Sequence, residues 1–360
     1  MSPPKTLRVV RNGWRGTHVP TRTWRRRLLA GLCAAVIGLL TTVGSGAAVN
    51  VGGASAGQRF LVVVAPRAHP GADQLAHPRV EVVSRDGRPL RLIAKPAATI
   101  GQAAFSPDRK TIAWQASSGI FVVPAKSSKP HLLVRGGMFG WSPVWSPDSS
   151  KLLFVPGDGG LATITVATGE QQQIVEAKPG RRYSPLGWSR NSILYLFGVR
   201  LVLAQSSGAS PRTLYRPASA VHDIPAASLS PNGKWVAFTT DGWNRRDPRL
   251  AIINTATGKL TRVPHFDGYT APPVWAPNST RFAVGDSQGP VQIISTSGRL
   301  LSSISQTNLG PTAWTRSGLY LIPGGPPWPS QLFVTTNGER FAQVVFTLPN
   351  RQVLLSAQPF

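Results

Sequence analysis

Short runs of Val, Ile, Leu and Phe recur through residues 59–360, and each run is closed by Gly, Pro, Ser, Asp or Asn. Residues 60–64, 111–114 and 151–155 are examples. Apolar runs of about four to eight residues between turn residues predict β-strands, and many of them at regular spacing predict a sandwich, a barrel or a propeller. The 36 Gly and 33 Pro residues agree with an all-β fold, because both residue types interrupt helices.

One turn motif repeats with a nearly constant period. It consists of a small or apolar residue, then an aromatic residue or Leu, then a polar turn that in four copies contains Pro followed by Asp or Asn. Pro fixes φ at the first corner, and the Asp or Asn side chain closes the bend. The aromatic or Leu positions are 40, 43, 41, 46 and 39 residues apart, which suits one four-stranded propeller blade per repeat. These positions are Phe105, Trp145, Trp188, Leu229, Trp275 and Trp314.

The motif resembles the repeat of TolB-like, or WD40-like, β-propellers, which also occurs in the propellers of prolyl-oligopeptidase-type enzymes. The resemblance is strongest over residues 100–320, and two copies have Arg190 and Arg316 in place of the Pro, which suggests a diverged array. It implies a propeller. TolB carries an additional α/β domain before its propeller, for which residues 1–58 are too short and too apolar, so TolB's own partner binding is not implied.

A second set of turns counts the blades independently. These turns lie later in each repeat, where they join two further strands, and most contain Gly. There are seven of them but only six copies of the early motif, and the additional turn contains Gly87. The N-terminal blade therefore has its second, third and fourth strands but no first, while residues 352–355 form a spare strand. Pairing the spare strand with the N-terminal blade would leave no open sheet edge. We predict seven blades, with six as the alternative if residues 60–93 pack otherwise.

The N-terminal region has the parts of an export signal. Four Arg residues, from Arg22 to Arg27, directly precede an uncharged and mostly apolar segment at 28–51. Such charges hold the N-terminus in the cytoplasm and direct the following chain across the membrane. We predict a basic cytoplasmic tail at 1–27, a signal peptide or transmembrane helix at 28–51, a linker at 52–58 and the propeller at 59–360.

The fate of this segment has two alternatives. Arg25-Arg26 resembles a twin-arginine signal, and Ala54-Ser55-Ala56 fits a cleavage site. The segment is also long enough to span a bilayer, which takes roughly 20 residues. The propeller is therefore expected outside the cytoplasm, either anchored in the cell membrane or secreted or periplasmic after cleavage.

The formal net charge of +25 restricts the partners. Such a field attracts anions, including acidic envelope polymer and anionic lipid, whereas export argues against nucleic acid. Cys33, the single cysteine, lies in the apolar segment, so a disulfide is not expected in the propeller. No pair of His residues has metal-ligand spacing, and no cofactor motif is present, so we expect neither a metal nor a cofactor.

The candidate binding residues are predicted at one end of the blades. Antiparallel order places the short Pro-Asp and Gly turns at one end and long, individual loops, rich in aromatic residues, Arg and His, at the other. Loops on a rigid scaffold commonly carry function, and this composition suits protein contact or sugar stacking. The candidates are Phe139, Trp141, Arg181, Arg182, Tyr183, His222, Asp223, Trp243, Arg245, Arg246, His265, Asp267, Tyr269 and Trp328.

Two functions fit these observations. The first is a monomeric scaffold or sensor that binds a protein or cell-envelope component and is tethered by its N-terminal helix. The second is an exported lyase or hydrolase of envelope sugars that uses His222, Asp223, His265 and Asp267. A nucleophile-elbow pattern at 53–57 lacks the strand and helix that such an elbow requires, so no catalytic residue is assigned from it.

Overall fold

The computed structural model describes residues 58–66, 78–96, 103–136, 142–218, 224–240, 249–264, 266, 272–285, 289–307, 309–323, 331–336, 342–348 and 352–359. The predicted tail at 1–27 and the predicted helix at 28–51 lie outside these residues. Within the described ranges, no helix has the length and apolar composition needed to cross a membrane.

The described residues form 28 strands in seven antiparallel sheets of four strands each. The prediction of an all-β, seven-bladed propeller is therefore confirmed. The first fourteen strands are β1 (Arg59–Pro66), β2 (Arg79–Ser84), β3 (Pro89–Ala94), β4 (Ala104–Phe105), β5 (Thr111–Ala116), β6 (Gly119–Pro124), β7 (His131–Arg135), β8 (Val144–Trp145), β9 (Lys151–Phe154), β10 (Leu161–Thr165), β11 (Gln171–Val175), β12 (Tyr183–Trp188), β13 (Ser192–Phe197) and β14 (Arg200–Gln205). The others are β15 (Arg212–Tyr215), β16 (Ala226–Leu229), β17 (Trp235–Thr239), β18 (Leu250–Asn254), β19 (Leu260–Arg262), β20 (Val274–Trp275), β21 (Arg281–Val284), β22 (Pro290–Ser295), β23 (Leu300–Thr307), β24 (Leu309–Thr315), β25 (Gly318–Pro323), β26 (Gln331–Thr335), β27 (Gln343–Thr347) and β28 (Gln352–Pro359).

Blade 1 combines the two ends of the propeller chain. Its strand order is β28-β1-β2-β3, and each later blade takes four consecutive strands, from β4–β7 in blade 2 to β24–β27 in blade 7. Strand β28 runs antiparallel to β1, with Phe60 opposite Pro359 and Val62 opposite Ala357. Strand β28 is therefore the first strand of blade 1, and it closes the ring between blades 7 and 1.

The neighbouring blades hold β28 from both sides. The backbone N–H of Phe105 in blade 2 donates to Gln358 Oε1 at 3.2 Å, and Arg109 Nη1 donates to the carbonyl of Pro359. On the other side, Thr312 Oγ1 of blade 7 donates to the carbonyl of Ala357 at 3.1 Å. Hydrogen bonds therefore join the last strand to three blades.

The hydrophobic core lies between adjacent blades. The second and third strands of a blade are buried on both faces, which is why they are continuous apolar runs rather than alternating ones. One core cluster joins Ile120 and Val122 of blade 2 to Trp145, Leu152 and Phe154 of blade 3. The Trp145 ring fills the wedge between these sheets, and its Nε1 donates to a carbonyl of blade 2, that of residue 104, at 3.2 Å.

The repeated turn is a small hydrogen-bonded unit. In blade 2, Ser106 Oγ donates to Asp108 Oδ1 at 2.6 Å, and the same carboxylate oxygen accepts from the backbone N–H of Lys110 at 3.0 Å. Ser106 Oγ also accepts from the N–H of Thr111 at 3.0 Å. The Asp or Asn of the motif is therefore a structural acceptor that closes the turn.

The same turns connect adjacent blades. The N–H of Asp108 donates to Ser149 Oγ of the next blade at 3.0 Å, and the N–H of Asn232 donates to Ser279 Oγ at 3.1 Å. Both Ser residues have a positive φ, as does Gly233 at the equivalent position of blade 5. A Cβ on Gly233 would come within 2.6 Å of Ser189 Oγ, so Gly allows blades 4 and 5 to approach.

Candidate functional site

The two ends of the blades differ in their connections. The turn face carries the turns that follow the first and third strands, including 106–110, 146–150 and 230–234, together with Gln58 and Pro359 at the ends of the propeller chain. The loop face carries the remaining connections. Some of these are shorter than expected from the sequence, because β5–β6 and β13–β14 are two-residue hairpins. The connection from β11 to β12, at 176–182, is a longer loop and is described throughout.

Three of the residues predicted for the binding face fall within the described ranges: Arg181, Arg182 and Tyr183. All three lie on the loop face, where the loop at 176–182 enters β12. The other predicted residues lie outside the described ranges: Phe139, Trp141, His222, Asp223, Trp243, Arg245, Arg246, His265, Asp267, Tyr269 and Trp328.

Tyr183 stabilises this loop through a hydrogen bond from a buried position. The side chain is only 2% exposed, and its hydroxyl group donates to the carbonyl of Glu176 at 3.0 Å. Tyr183 is also the cross-strand partner of Phe197, with the ring centroids 5.3 Å apart. Burial raises the pKa of Tyr183, and burial raises that of Tyr195 in the same cluster to about 12. Both phenols are therefore neutral structural groups at physiological pH.

Two cationic side chains lie beside the Phe197 ring. Lys178 Nζ lies 5.7 Å from the ring centroid, and Arg181 Cζ lies 5.9 Å from it. A cation within about 6 Å of an aromatic ring is attracted by the negative face of the ring. Arg182 is exposed beside Arg181, and Arg200 begins β14 directly opposite Phe197. We call Lys178, Arg181, Arg182 and Arg200, together with Phe197, the basic patch.

Three backbone and side-chain bonds fix the basic patch. The N–H of Arg181 donates to the carbonyl of Lys178 at 3.1 Å, and the N–H of Gly198 donates to the carbonyl of Arg182 at 2.9 Å. The bond from Tyr183 to Glu176 closes the base of the loop. Gly180 has a φ of 67°, which gives the sharp bend between Lys178 and Arg181. The cationic side chains therefore project from a well-defined backbone.

Part of the basic patch could not be found in the sequence. The run from Lys178 to Arg182 contains three cations, but Phe197 and Arg200 join them only through the pairing of β12 with β13 and of β13 with β14. A β-bulge between Pro185 and Gly187 shifts that register. The one signal in the sequence that could have placed residues 197–200 in a turn is Gly198.

Glu176 is exposed in the same loop as the basic patch, but the ion pairs of the described ranges lie in other blades. The ion pairs there are Arg79–Glu81, Arg88–Asp86 and Lys110–Asp108, in blades 1 and 2. Across the described residues, no group of three or more His, Cys, Asp and Glu side chains could hold a metal ion. The groups that the basic patch presents are cations and an aromatic ring, which suit electrostatic and apolar recognition.

Comparison with known proteins shows the fold. No protein-family model and no curated protein sequence matches the chain. The structure of TolB from Acinetobacter baumannii is 18% identical over 68% of this chain and 62% of that one, with a TM-score of 0.50. The Cps50 (Swd1) β-propeller domain from Myceliophteria thermophila is 13% identical over 69% and 86% of the two chains, with a TM-score of 0.54.

The fold is a TolB-like and WD40-like seven-bladed β-propeller. A chain of the mitotic checkpoint complex is also similar, at 15% identity over 80% of this chain and 88% of that one, with a TM-score of 0.59. This propeller spans less than two thirds of the length of the TolB structure. At these identities the similarity concerns the fold, and function has to be argued from the site.

Proposed function

We propose that this protein is a binding propeller that works outside the cytoplasm and contacts a protein or cell-envelope component through its loop face. The basic patch is the observation that carries the proposal. It presents fixed cations beside an aromatic ring, and it projects from a scaffold whose opposite face is occupied by structural turns. Arg and aromatic residues are the types most enriched where proteins bind each other tightly.

The structural neighbours support a binding role. One similar chain belongs to the mitotic checkpoint complex, which is an assembly of proteins, and another is the propeller domain of Swd1. The seven-bladed ring of this protein offers the same kind of rigid platform. These neighbours therefore support a protein-binding role, while the residues that would carry it are argued from the site.

The location outside the cytoplasm rests on the sequence. Basic residues up to Arg27 precede the uncharged segment 28–51, as in a signal or anchor. The propeller begins at the turn face, where Gln58 Nε2 donates to the hydroxyl group of Tyr320 at 2.7 Å. The described chain therefore enters the propeller at the turn face, the end opposite the basic patch.

A pull-down from the native envelope with the full chain tests the binding role. The variant combines Lys178→Ala, Arg181→Ala and Arg182→Ala, and we expect the wild type to capture proteins that this variant loses. The matched control combines Arg190→Ala, Lys234→Ala and Arg316→Ala, which removes the same charges from exposed positions on the turn face. Capture of the same proteins by both variants would show that the basic patch is not the contact.

Protein sequencing tests the location and the fate of the anchor. Mature protein from membranes or from the extracytoplasmic fraction is expected to keep residue 1 if the segment 28–51 is a permanent anchor. A mature N-terminus near Gly57 would instead show cleavage after Ala56. Recovery of full-length protein in the cytoplasmic fraction alone would contradict export.

A further inference from the structure

Two positive charges of the basic patch converge on a single ring. Lys178 Nζ and Arg181 Cζ both lie within 6 Å of the Phe197 centroid, at 5.7 and 5.9 Å. Each cation gains only about 0.5–1 kcal/mol from the ring at an exposed site, so its charge remains available to an anion. An anion that pairs with these cations would form stronger, charge-assisted hydrogen bonds.

The chain does not supply this anion within the described residues. No carboxylate there lies within 4.0 Å of a cationic nitrogen of Lys178, Arg181, Arg182 or Arg200, since the ion pairs belong to blades 1 and 2. Glu176 is exposed in the same loop, and its backbone carbonyl accepts from Tyr183. Within the described residues, no ion pair therefore neutralises the charge of the basic patch.

The backbone of the basic patch favours one kind of anion. Compact anions such as phosphate are commonly bound by converging backbone N–H groups. Here the N–H of Arg181 and the N–H of Gly198 already donate to carbonyl groups of the same loop. These two N–H groups are therefore not available to an anion, and the apolar Phe197 ring lies beside the Lys178 and Arg181 side chains. Carboxylates on methylene stems fit this arrangement, because the stems can cover the ring while the carboxylates reach the cations.

We infer that the basic patch binds an acidic segment of a partner polypeptide, with Glu or Asp carboxylates pairing with Lys178 and Arg181 across the Phe197 ring. This inference rests on the proposed binding role of the loop face and names the chemistry of its partner. Arg181 offers bidentate pairing to one carboxylate, and Arg200, the cross-strand partner of Phe197, adds a further positive charge next to the ring.

Fluorescence anisotropy with the full chain in detergent tests the inference. The probe is a labelled peptide of alternating Glu and Gly, the reference is the same peptide with Gln in place of Glu, and the ionic strength is held constant. The variant combines Lys178→Gln and Arg181→Gln. Its matched control combines Lys234→Gln and Arg190→Gln on the turn face, so both variants lose the same net charge.

We expect the Glu peptide to bind and the Gln peptide to bind at least about tenfold more weakly, because each charge-assisted bond contributes about that factor. The patch variant should lose about tenfold or more in affinity for the Glu peptide, and the control less than about twofold. Phe197→Ala should also weaken binding, whereas Phe197→Tyr, which keeps the ring, should retain it.

Several results would overturn the inference. Equal losses in the patch and control variants would indicate a general effect of net charge, and displacement of the peptide by inorganic phosphate at micromolar concentration would indicate a compact-anion site. The pull-down separates this inference from the proposed function. If wild type and the Gln variant capture the same envelope proteins, the acidic-segment inference is wrong while the binding role stands. If wild type captures no protein, the binding role is wrong, and the anisotropy data still decide the chemistry of the basic patch.

Discussion

The connections on the turn face of this propeller repeat from blade to blade, whereas those on the loop face are individual. On the turn face, one set of hydrogen bonds recurs from blade to blade: Ser106 with Asp108, Ser146 with Asp148, and Ser230 with Asn232. On the loop face, the connection at 176–182 has its own bonds and presents cations to solvent. The repeated side chains hold the ring together, and the individual ones are available for recognition.

Removal of the closing strand β28 should reduce the stability of the protein more than any of the other changes. Removal of residues 352–360 would expose one edge of β1 and the inner faces of blades 2 and 7, where Gln358 and Ala357 now accept hydrogen bonds. We expect loss of cooperative unfolding and aggregation, because an open edge is a template for further pairing. Circular dichroism during heating and light scattering measure this, and a truncated chain that unfolds at the wild-type Tm would contradict the ring closure.

Replacement of the wedge-filling tryptophan should have the next largest effect. Trp145→Ala removes a ring that is 8% exposed between blades 2 and 3, and large aromatic truncations in cores cost about 3–5 kcal/mol. Trp145→Phe keeps most of the packing and loses the bond from Nε1, so it should cost less. Urea unfolding gives both free energies of unfolding, and equal, small values would show that the ring is not part of the core.

The turn acid should have a smaller and pH-dependent effect. Asp148 accepts bonds from Ser146 Oγ at 2.6 Å and from the N–H of Ser150 at 3.1 Å, and Asp148→Ala should destabilise the protein by about 1 kcal/mol. The bond from Ser146 holds the pKa of Asp148 below its ordinary value of 3.8. A carboxyl group whose pKa is lowered by folding stabilises the protein above that value and loses this contribution as the pH falls through the folded pKa.

Asp148→Asn is the matched variant for this turn, because Asn occupies the equivalent position at Asn232 and Asn278. It should keep most of the stability at neutral pH. The difference in the free energy of unfolding between wild type and Asp148→Asn should shrink below about pH 4. Urea unfolding at several pH values measures this difference, and a pH-independent difference would contradict the assigned cause.

The basic patch should have the smallest effect on stability. The triple variant of Lys178, Arg181 and Arg182 removes exposed side chains that make no ion pair with a described residue, so it should change the free energy of unfolding by no more than about 0.5 kcal/mol. Its loss of partner capture would then be a binding effect. A large destabilisation would instead assign these residues to the scaffold.

The sequence contained most of the fold and a smaller part of the site. The period of the Trp-centred turns and the surplus turn at Gly87 predicted seven blades, because both count one physical unit along the chain. For the site, Arg181, Arg182 and Tyr183 were singled out, and the structure gives Tyr183 a buried supporting position. Phe197 reaches the cations only through a bulged strand pairing, and such long-range register is not encoded in local patterns.

Hydrogen–deuterium exchange of the full chain, with and without the Glu peptide, tests most directly whether recognition and ring structure are divided between the two faces. We predict that the peptide slows exchange at residues 176–182 and 197–200 and leaves the turns at 106–110, 146–150 and 230–234 unchanged. Slowed exchange at those turns, or equal slowing on both faces, would contradict this division.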